Sequence, residues 1–484
     1  MEHSMLVGRK QEIEVLKRYH SSDEAEFLVL YGRRRVGKTF LVRQYFHDKF
    51  FFYSTGVAPE DSDKANLQIN IERFCKNLEQ YGMGNNQATA TWMEAFDRLR
   101  EGIEASATHE KKVIFLDEMP WMDTPKSSFI RALEYFWNSF ASARQDILLI
   151  ACGSASTWIS RKVFNNREGL HNRITGRLLL RPFTLVECEE YFRMREIVID
   201  RRDIAEAYMI FGGIPYYLKY WDGRYSLPQN VDRIVFREDA PLKNEFYNLY
   251  ASLFRNSSQY IEVIKTLSAK AKGLSRDEIL SATGMADGGA VSEILQNLEM
   301  SGFIRYYSRF PGKIRNGLFQ LIDNFSLFHQ TFIEGNTGQN EHFWSDLHET
   351  PRLNAWRGYA FEQLCFRHID QIKWALGIAG IATDIYSWKS KESDPGVQID
   401  LVISRSDRIV NICEIKFSKY EFEIKKDYAA MLRNKVFTFG NETGSNATMH
   451  LTFITTFGIK QNACSNMVQS EVLLDDLFNA PMRK

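Results

Sequence analysis

The sequence predicts an α/β multidomain protein, and three observations predict it. From residue 27 to about 183, four short apolar runs (FLVLYG, FFYSTG, VIFLDE and ILLIACGS) alternate with amphipathic helical stretches, the pattern of a parallel sheet covered by helices. From about 184 to 325 the pattern is mainly helical and ends in two short strand-like runs. From about 345 a second, smaller alternation of helix and strand begins. The segments expected are therefore 1–183, 184–255, 256–325, a connector at 326–344, and 345–484.

Length and charge bound the function. A chain of 484 residues is too long for one core. Its 61 basic residues balance 61 acidic ones, so no global field advertises a polyanionic partner and any nucleic-acid contact must be local. The N-terminal MEHSMLVGRKQEIEVLKRYH has no apolar stretch of the secretory kind, and no run of eighteen apolar residues offers a bilayer span. The six cysteines are scattered without metal-ligand spacing, which fits reduced core residues. The expected compartment is the cytoplasm, with no membrane partner.

Taken in order, FLVLYG is a buried strand followed by GRRRVGKT, Gly32 to Thr39, and by the helical KTFLVRQYF. This is the phosphate-binding loop pattern in its strand-loop-helix setting. Gly32, Arg33, Arg34, Arg35, Val36 and Gly37 turn the backbone around phosphate oxygens, Lys38 reaches the terminal phosphates, and Thr39 beside Phe40 offers a hydroxyl to Mg²⁺. VIFLDE ends in Asp117, a metal-shell carboxylate, and Glu118, which would orient or deprotonate the attacking water. ILLIACGS ends in Ser154, which senses the γ-phosphate or caps the next helix. Arg173 and Arg177, in GLHNRITGR, are each a surface arginine or an arginine finger, acting in cis or from a neighbouring copy in a homo-oligomer. ATP and Mg²⁺ are the cofactors this region implies.

Those residues, with VGRKQEIEVL (7–16), VIFLDEMPW (113–121), CGSAS (152–156) and FGGIPYYL (211–218), resemble the archaeal-type ATPases of the AAA/STAND group. The resemblance implies a P-loop NTPase parallel sheet with helical lid, then a winged helix, then a C-terminal restriction-endonuclease-like α/β domain. The lid motif carries Pro215 where many AAA proteins place an arginine.

The later elements follow. Thr184 to Glu187 is a capping box opening the lid, and Ser275 to Glu278 caps the second helix of the 256–325 segment, whose third helix ends at Gly302. That third helix carries Asp287, Glu293 and Glu299 and no Lys or Arg, so it is a poor groove reader. The wing, with Arg305, Arg309, Lys313 and Arg315, is basic; a structural or relay role competes with contact to a nucleic-acid backbone.

In QIDLVISRSDRIVNICEIKF, 398–417, charges interrupt two apolar runs. Strand alternation puts Gln398, Asp400, Glu414 and Lys416 on one face, with Asp400 near Ile412 if the turn lies at about Ser406. Asp400, Glu414 and the Ile415 carbonyl would hold Mg²⁺, and Lys416 would position water or stabilise phosphate charge. The pattern resembles the PD-(D/E)XK nucleases, in which a helical glutamate completes the metal site; Glu362 of GYAFEQLC fits that place. Lys419, Lys425, Lys426, Arg433 and Lys435 would supply local positive charge for DNA. The reading is an ATPase coupled to a metal-dependent nuclease acting on DNA, with RNA open. The alternative is an ATP-switched signalling or scaffold protein whose last domain binds without cutting, and the acidic third helix counts against a transcription factor.

Overall fold

The computed structural model describes residues 6–58, 63–84, 89–154, 158–164, 170–307, 317–336, 340–347, 350–390 and 396–479. The chain divides into two compact units, Met1–Pro182 and Phe183–Lys484.

The first unit is a five-stranded, all-parallel sheet. Its strands are β1 (Glu26–Tyr31), β2 (Phe52–Thr55), β3 (Lys112–Asp117), β4 (Ile147–Gly153) and β5 (Gly176–Leu179), in the order β2-β3-β4-β1-β5. β1, β3 and β4 are apolar throughout their middles because both faces are covered. Helices Asp63–Gln80, Trp92–Ala105 and Phe129–Ser139 bury Phe74, Trp92, Phe96, Phe129 and Phe136 against one face. Thr91 and Glu94 form a capping box at the second of these helices. The fifth strand corrects the sequence reading, which had four strand-like runs in this region. β5 is an edge strand with alternating burial, so Arg177 stands on its exposed side and needs no apolar run. Its guanidinium lies 4.2 Å from the Phe164 ring centroid.

The second unit opens with helices Leu185–Met194 and Arg201–Phe211. Thr184 caps the first through the expected box with Glu187. Gly212 and Gly213, both at positive φ, end the second, and Pro215 starts a short turn of helix. Helices Ser257–Ser268, Arg276–Thr283 and Gly289–Met300 follow, with Ser275 and Glu278 boxed at the middle one. An antiparallel pair, β6 (Ile304–Tyr307) and β7 (Leu318–Leu321), comes next. Of the expected wing, Arg309, Lys313 and Arg315 lie outside the described residues.

A long helix, Pro351–Arg367, precedes the C-terminal sheet. That sheet comprises β8 (Thr383–Lys389), β9 (Gln398–Arg405), β10 (Ile409–Lys416), β11 (Thr448–Thr455) and β12 (Ser470–Leu473), in the order β12-β11-β10-β9-β8. β9 runs antiparallel to both its neighbours, β8 and β10, whereas β11 is parallel to β10 and β12 to β11. Helix Lys426–Thr443 is the crossover from β10 to β11, as a parallel pair requires. Trp388, Ile399, Val402, Ile412, Leu432, Phe439 and Phe453 form its core. The hairpin register differs from the expected one by two residues. Leu401 faces Cys413, so Asp400 comes opposite Glu414 at the next step rather than near Ile412. The cause is Arg408 at φ 67, a left-handed turn residue that lengthens the connection where sequence alone suggests a tighter turn. A two-residue shift leaves the faces unchanged.

Candidate functional site

The first cluster sits at the carboxyl ends of β1, β3 and β4. Gly32 leaves β1 at φ 144, and a Cβ there would fall 2.3 Å from the Leu180 carbonyl oxygen, so the loop can leave the sheet only through glycine. Arg35 and Gly37 are also left-handed, at φ 73 and 92, and Gly37 caps helix Lys38–Tyr45. Arg33 is buried, and the Arg34 guanidinium lies 5.3 Å from the Trp121 ring centroid. Phe40 is 46% exposed, outside the cluster's polar centre. Val36 is held from below: buried Arg9 donates to its carbonyl at 3.1 Å and to the Arg181 carbonyl at 2.8 Å.

Lys38 is buried, and its ammonium donates to the carbonyls of Gly32 and Arg33, each at 3.1 Å, and to Ser154 Oγ at 3.0 Å. The Ser154 hydroxyl donates to Glu118 Oε1 at 2.8 Å, and its N–H to Oε2 at 3.3 Å. Ser154 therefore links the loop lysine to the acid after β3. Thr39 Oγ1 donates to Asp117 Oδ2 at 2.8 Å. Burial raises the Asp117 carboxyl above its ordinary range; the Thr39 bond opposes this and the neighbouring Glu118 charge adds to it. A buried carboxylate beside a hydroxyl is a hard-oxygen pair suited to Mg²⁺. Arg173 is exposed at the turn after Leu170–Asn172, apart from this chain of contacts.

The second cluster lies on the C-terminal sheet and the helix Pro351–Arg367. The Ile415 N–H points at Asp400 Oδ2, 3.5 Å away. Glu414 is only 3% exposed and is held from three sides: by Lys416 Nζ at 2.9 Å, by Lys435 Nζ at 2.7 Å and by the Tyr428 hydroxyl. Burial would raise its carboxyl, but the two ammonium groups outweigh burial and hold it below the ordinary range. For Lys416 burial favours loss of the proton, and the Glu414 carboxylate overrides this to raise its pKa. Asp400 moves up through burial and the Glu414 charge. Glu362 moves up to about 8 through burial and then the Asp400 charge. Gln398 opens β9 opposite Lys389, two residues before Asp400 and on its face. Among the described residues, no three His, Cys, Asp or Glu side chains stand together at metal-holding spacing. Two carboxylates with water suffice for Mg²⁺, and the oxygens of Glu414 are already engaged by Lys416, Lys435 and Tyr428.

Residues 6–221 match the family described as an ATPase domain predominantly from Archaea. This part of the chain is an archaeal-type ATPase domain. An uncharacterized protein of Methanocaldococcus jannaschii is 23% identical over 439 residues, covering 89% of this chain and 91% of its own. An uncharacterized ATP-binding protein of the same organism is 47% identical over 45 residues, 9% of this chain and 76% of its own. A Walker-type ATPase of Pyrococcus abyssi shares the fold, with a TM-score of 0.50, 16% identity, and 67% of this chain and 96% of that one covered. No helix among the described residues is long and apolar enough to cross a membrane.

Beyond the ATPase domain's loop, sequence reasoning missed Arg9 as the anchor of Val36 and Tyr428 as a partner of Glu414. Tyr428 and Lys435 stand seven residues apart on one helix, two turns on one face, and that spacing was available as a signal. Two expectations need correction. Lys435 does not join a free basic patch, because Glu414 engages it. Arg305 does not reach outward from a wing: it donates to Gln320 Oε1 at 2.8 Å and lies 4.0 Å from the Phe366 ring centroid. Burial accordingly lowers its pKa.

Proposed function

We propose that the chain is an ATP-driven nuclease: the N-terminal ATPase domain binds and hydrolyses ATP with Mg²⁺, and the C-terminal sheet domain cleaves phosphodiester bonds in DNA with a divalent cation. The observation that carries the nuclease half is the convergence of Glu362, Asp400, Glu414 and Lys416 from one helix and two strands. The 2.9 Å Lys416–Glu414 pair supports this reading, as does a Glu362 carboxyl raised by burial and then by the Asp400 charge. Such charge is costly to bury and is retained where a site uses it. The segment 256–325 is read as a winged helix and 184–255 as a lid.

In the ATP half, Lys38 and the loop backbone bind phosphates, Thr39 and Asp117 would hold Mg²⁺, and Glu118, oriented by Ser154, takes the proton of the attacking water. In the nuclease half, Asp400 and Glu362 would hold the cation, which when bound supplies Lewis acidity and an acidified water. Glu414 keeps Lys416 charged and holds both Lys416 and Lys435 in place, and Lys416 faces the phosphate as negative charge builds on it.

A second reading rests on the same Glu414. Its oxygens are taken by two lysines and a tyrosine, which suits a domain that binds nucleic acid or a partner without cutting. One assay separates the readings: plasmid, linear and single-stranded DNA with Mg²⁺ or Mn²⁺, with and without ATP, using wild type, Lys416→Ala and Lys38→Ala. Cutting lost in Lys416→Ala supports the nuclease. ATP hydrolysis with no cutting of any substrate by wild type supports the switch or scaffold.

A further inference from the structure

Lys272 belongs to neither the C-terminal sheet nor its helices. It lies in the connection between helices Ser257–Ser268 and Arg276–Thr283, yet its ammonium is 4.0 Å from Asp400 Oδ1.

The loop that carries it is fixed. Gly273 sits at φ 77, and a Cβ there would fall 2.3 Å from the Phe319 carbonyl oxygen. Leu274 bridges to Phe319 in both directions, Gln320 Nε2 donates to the Ala271 carbonyl at 2.6 Å, and the Tyr307 hydroxyl donates to the carbonyl of Lys272 itself. The same hairpin is bonded to the helix that bears Glu362. Tyr359 donates to the Leu321 carbonyl at 3.3 Å, and Arg367 to the Ile322 carbonyl at 2.8 Å. The position of Lys272 over the carboxylates is thus set by hydrogen bonds to main-chain groups on both sides, although its own side chain is 47% exposed.

Three lysines therefore surround the acidic cluster, and they differ. Lys416 and Lys435 each lie within 3 Å of Glu414. Lys272 touches the cluster only at 4.0 Å and is the most exposed of the three. A phosphate approaching Asp400 meets carboxylate repulsion, and it needs an ammonium that is accessible and not already spent. We infer that Lys272 is a substrate-binding residue of the C-terminal site, gripping a DNA phosphate beside the reacting one. The site is then composite, complete only when the 256–325 segment is seated on the sheet domain. This inference rests on the nuclease reading and adds a residue, and an element, that the motif does not contain.

The test uses the full chain and a fluorescein-labelled DNA duplex. Binding is measured by anisotropy in EDTA across a salt series, and cleavage of the same duplex is measured with Mn²⁺. Lys272→Ala is expected to bind severalfold more weakly and to flatten the log–log salt dependence by about 0.9, the share of one duplex phosphate contact. In cleavage the loss should fall mainly on KM, and Lys272→Arg should restore much of it. An unchanged melting temperature in Lys272→Ala accompanies this outcome, since the side chain is half exposed. Wild-type affinity and salt slope in Lys272→Ala, while wild type binds and cuts, overturn the role of Lys272 alone. Tighter binding or faster cutting by Lys272→Ala also overturns it, because the lysine would then be an obstruction. A wild type that neither binds nor cuts overturns the nuclease reading, and the role of Lys272 with it.

Discussion

Lys38→Ala removes the ammonium that joins two loop carbonyls to Ser154, and ATP binding is expected to be lost in a filter or calorimetric assay while the fold persists. Glu118→Gln keeps one acceptor oxygen for the Ser154 hydroxyl but removes the base, so binding should survive and hydrolysis should fall by about 10²–10⁴-fold. Equal loss of binding in both variants would sink the division of labour. Glu362 gives a pH prediction. Its carboxyl ionises near 4.5 in an unfolded chain and near 8 in the folded one. Between those values the folded state holds the extra proton, so this residue makes stability fall as pH rises from about 5 to 8. In metal-free buffer Glu362→Gln should flatten the decline of melting temperature across that window. An unchanged slope would place the linkage elsewhere.

At the scale of elements, helix Pro351–Arg367 ties its neighbours together. Arg357 pairs at 2.6 Å with Glu206, which is 2% exposed on helix Arg201–Phe211. His368, just beyond the helix, accepts from the Leu185 N–H at 3.0 Å, and burial lowers its pKa to about 4, so it is neutral in that role. Arg357→Ala strands a buried carboxylate and should cost about 3–5 kcal/mol in denaturant unfolding. A cost within ordinary surface range would show that Glu206 finds another partner. Thr184→Ala, which only breaks a cap, should cost about 1 kcal/mol. Gly273→Ala must place a Cβ against a carbonyl at positive φ, and should cost at least about 1–2 kcal/mol. These elements were legible to different degrees. The caps at Thr184 and Ser275 were visible because two residues three positions apart define each. β5 was not, because this four-residue edge strand buries only one side chain, that of Leu178.

For the whole molecule, the proposal requires that the ATPase domain govern the C-terminal site. Lys38→Ala should therefore change DNA cleavage as well as ATP hydrolysis, and adding ATP should alter the wild-type cleavage rate but not that of Lys38→Ala. Identical cleavage by both proteins at all ATP concentrations would uncouple the two halves. What the sequence determined by itself is whatever neighbouring residues settle among themselves: the phosphate loop, the acids after β3, the helix caps, and the shared face of Asp400, Glu414 and Lys416. Loop geometry, capping and strand alternation depend on contacts a few residues apart. The tertiary structure alone decided the hairpin register, the capture of Glu414 by Lys435 and Tyr428, the packing of Arg305 on Phe366 and the approach of Lys272 to Asp400. Each depends on a left-handed turn at Arg408 or on packing between segments far apart in the chain, and electrostatic partners at that separation follow only once the main chain has been placed.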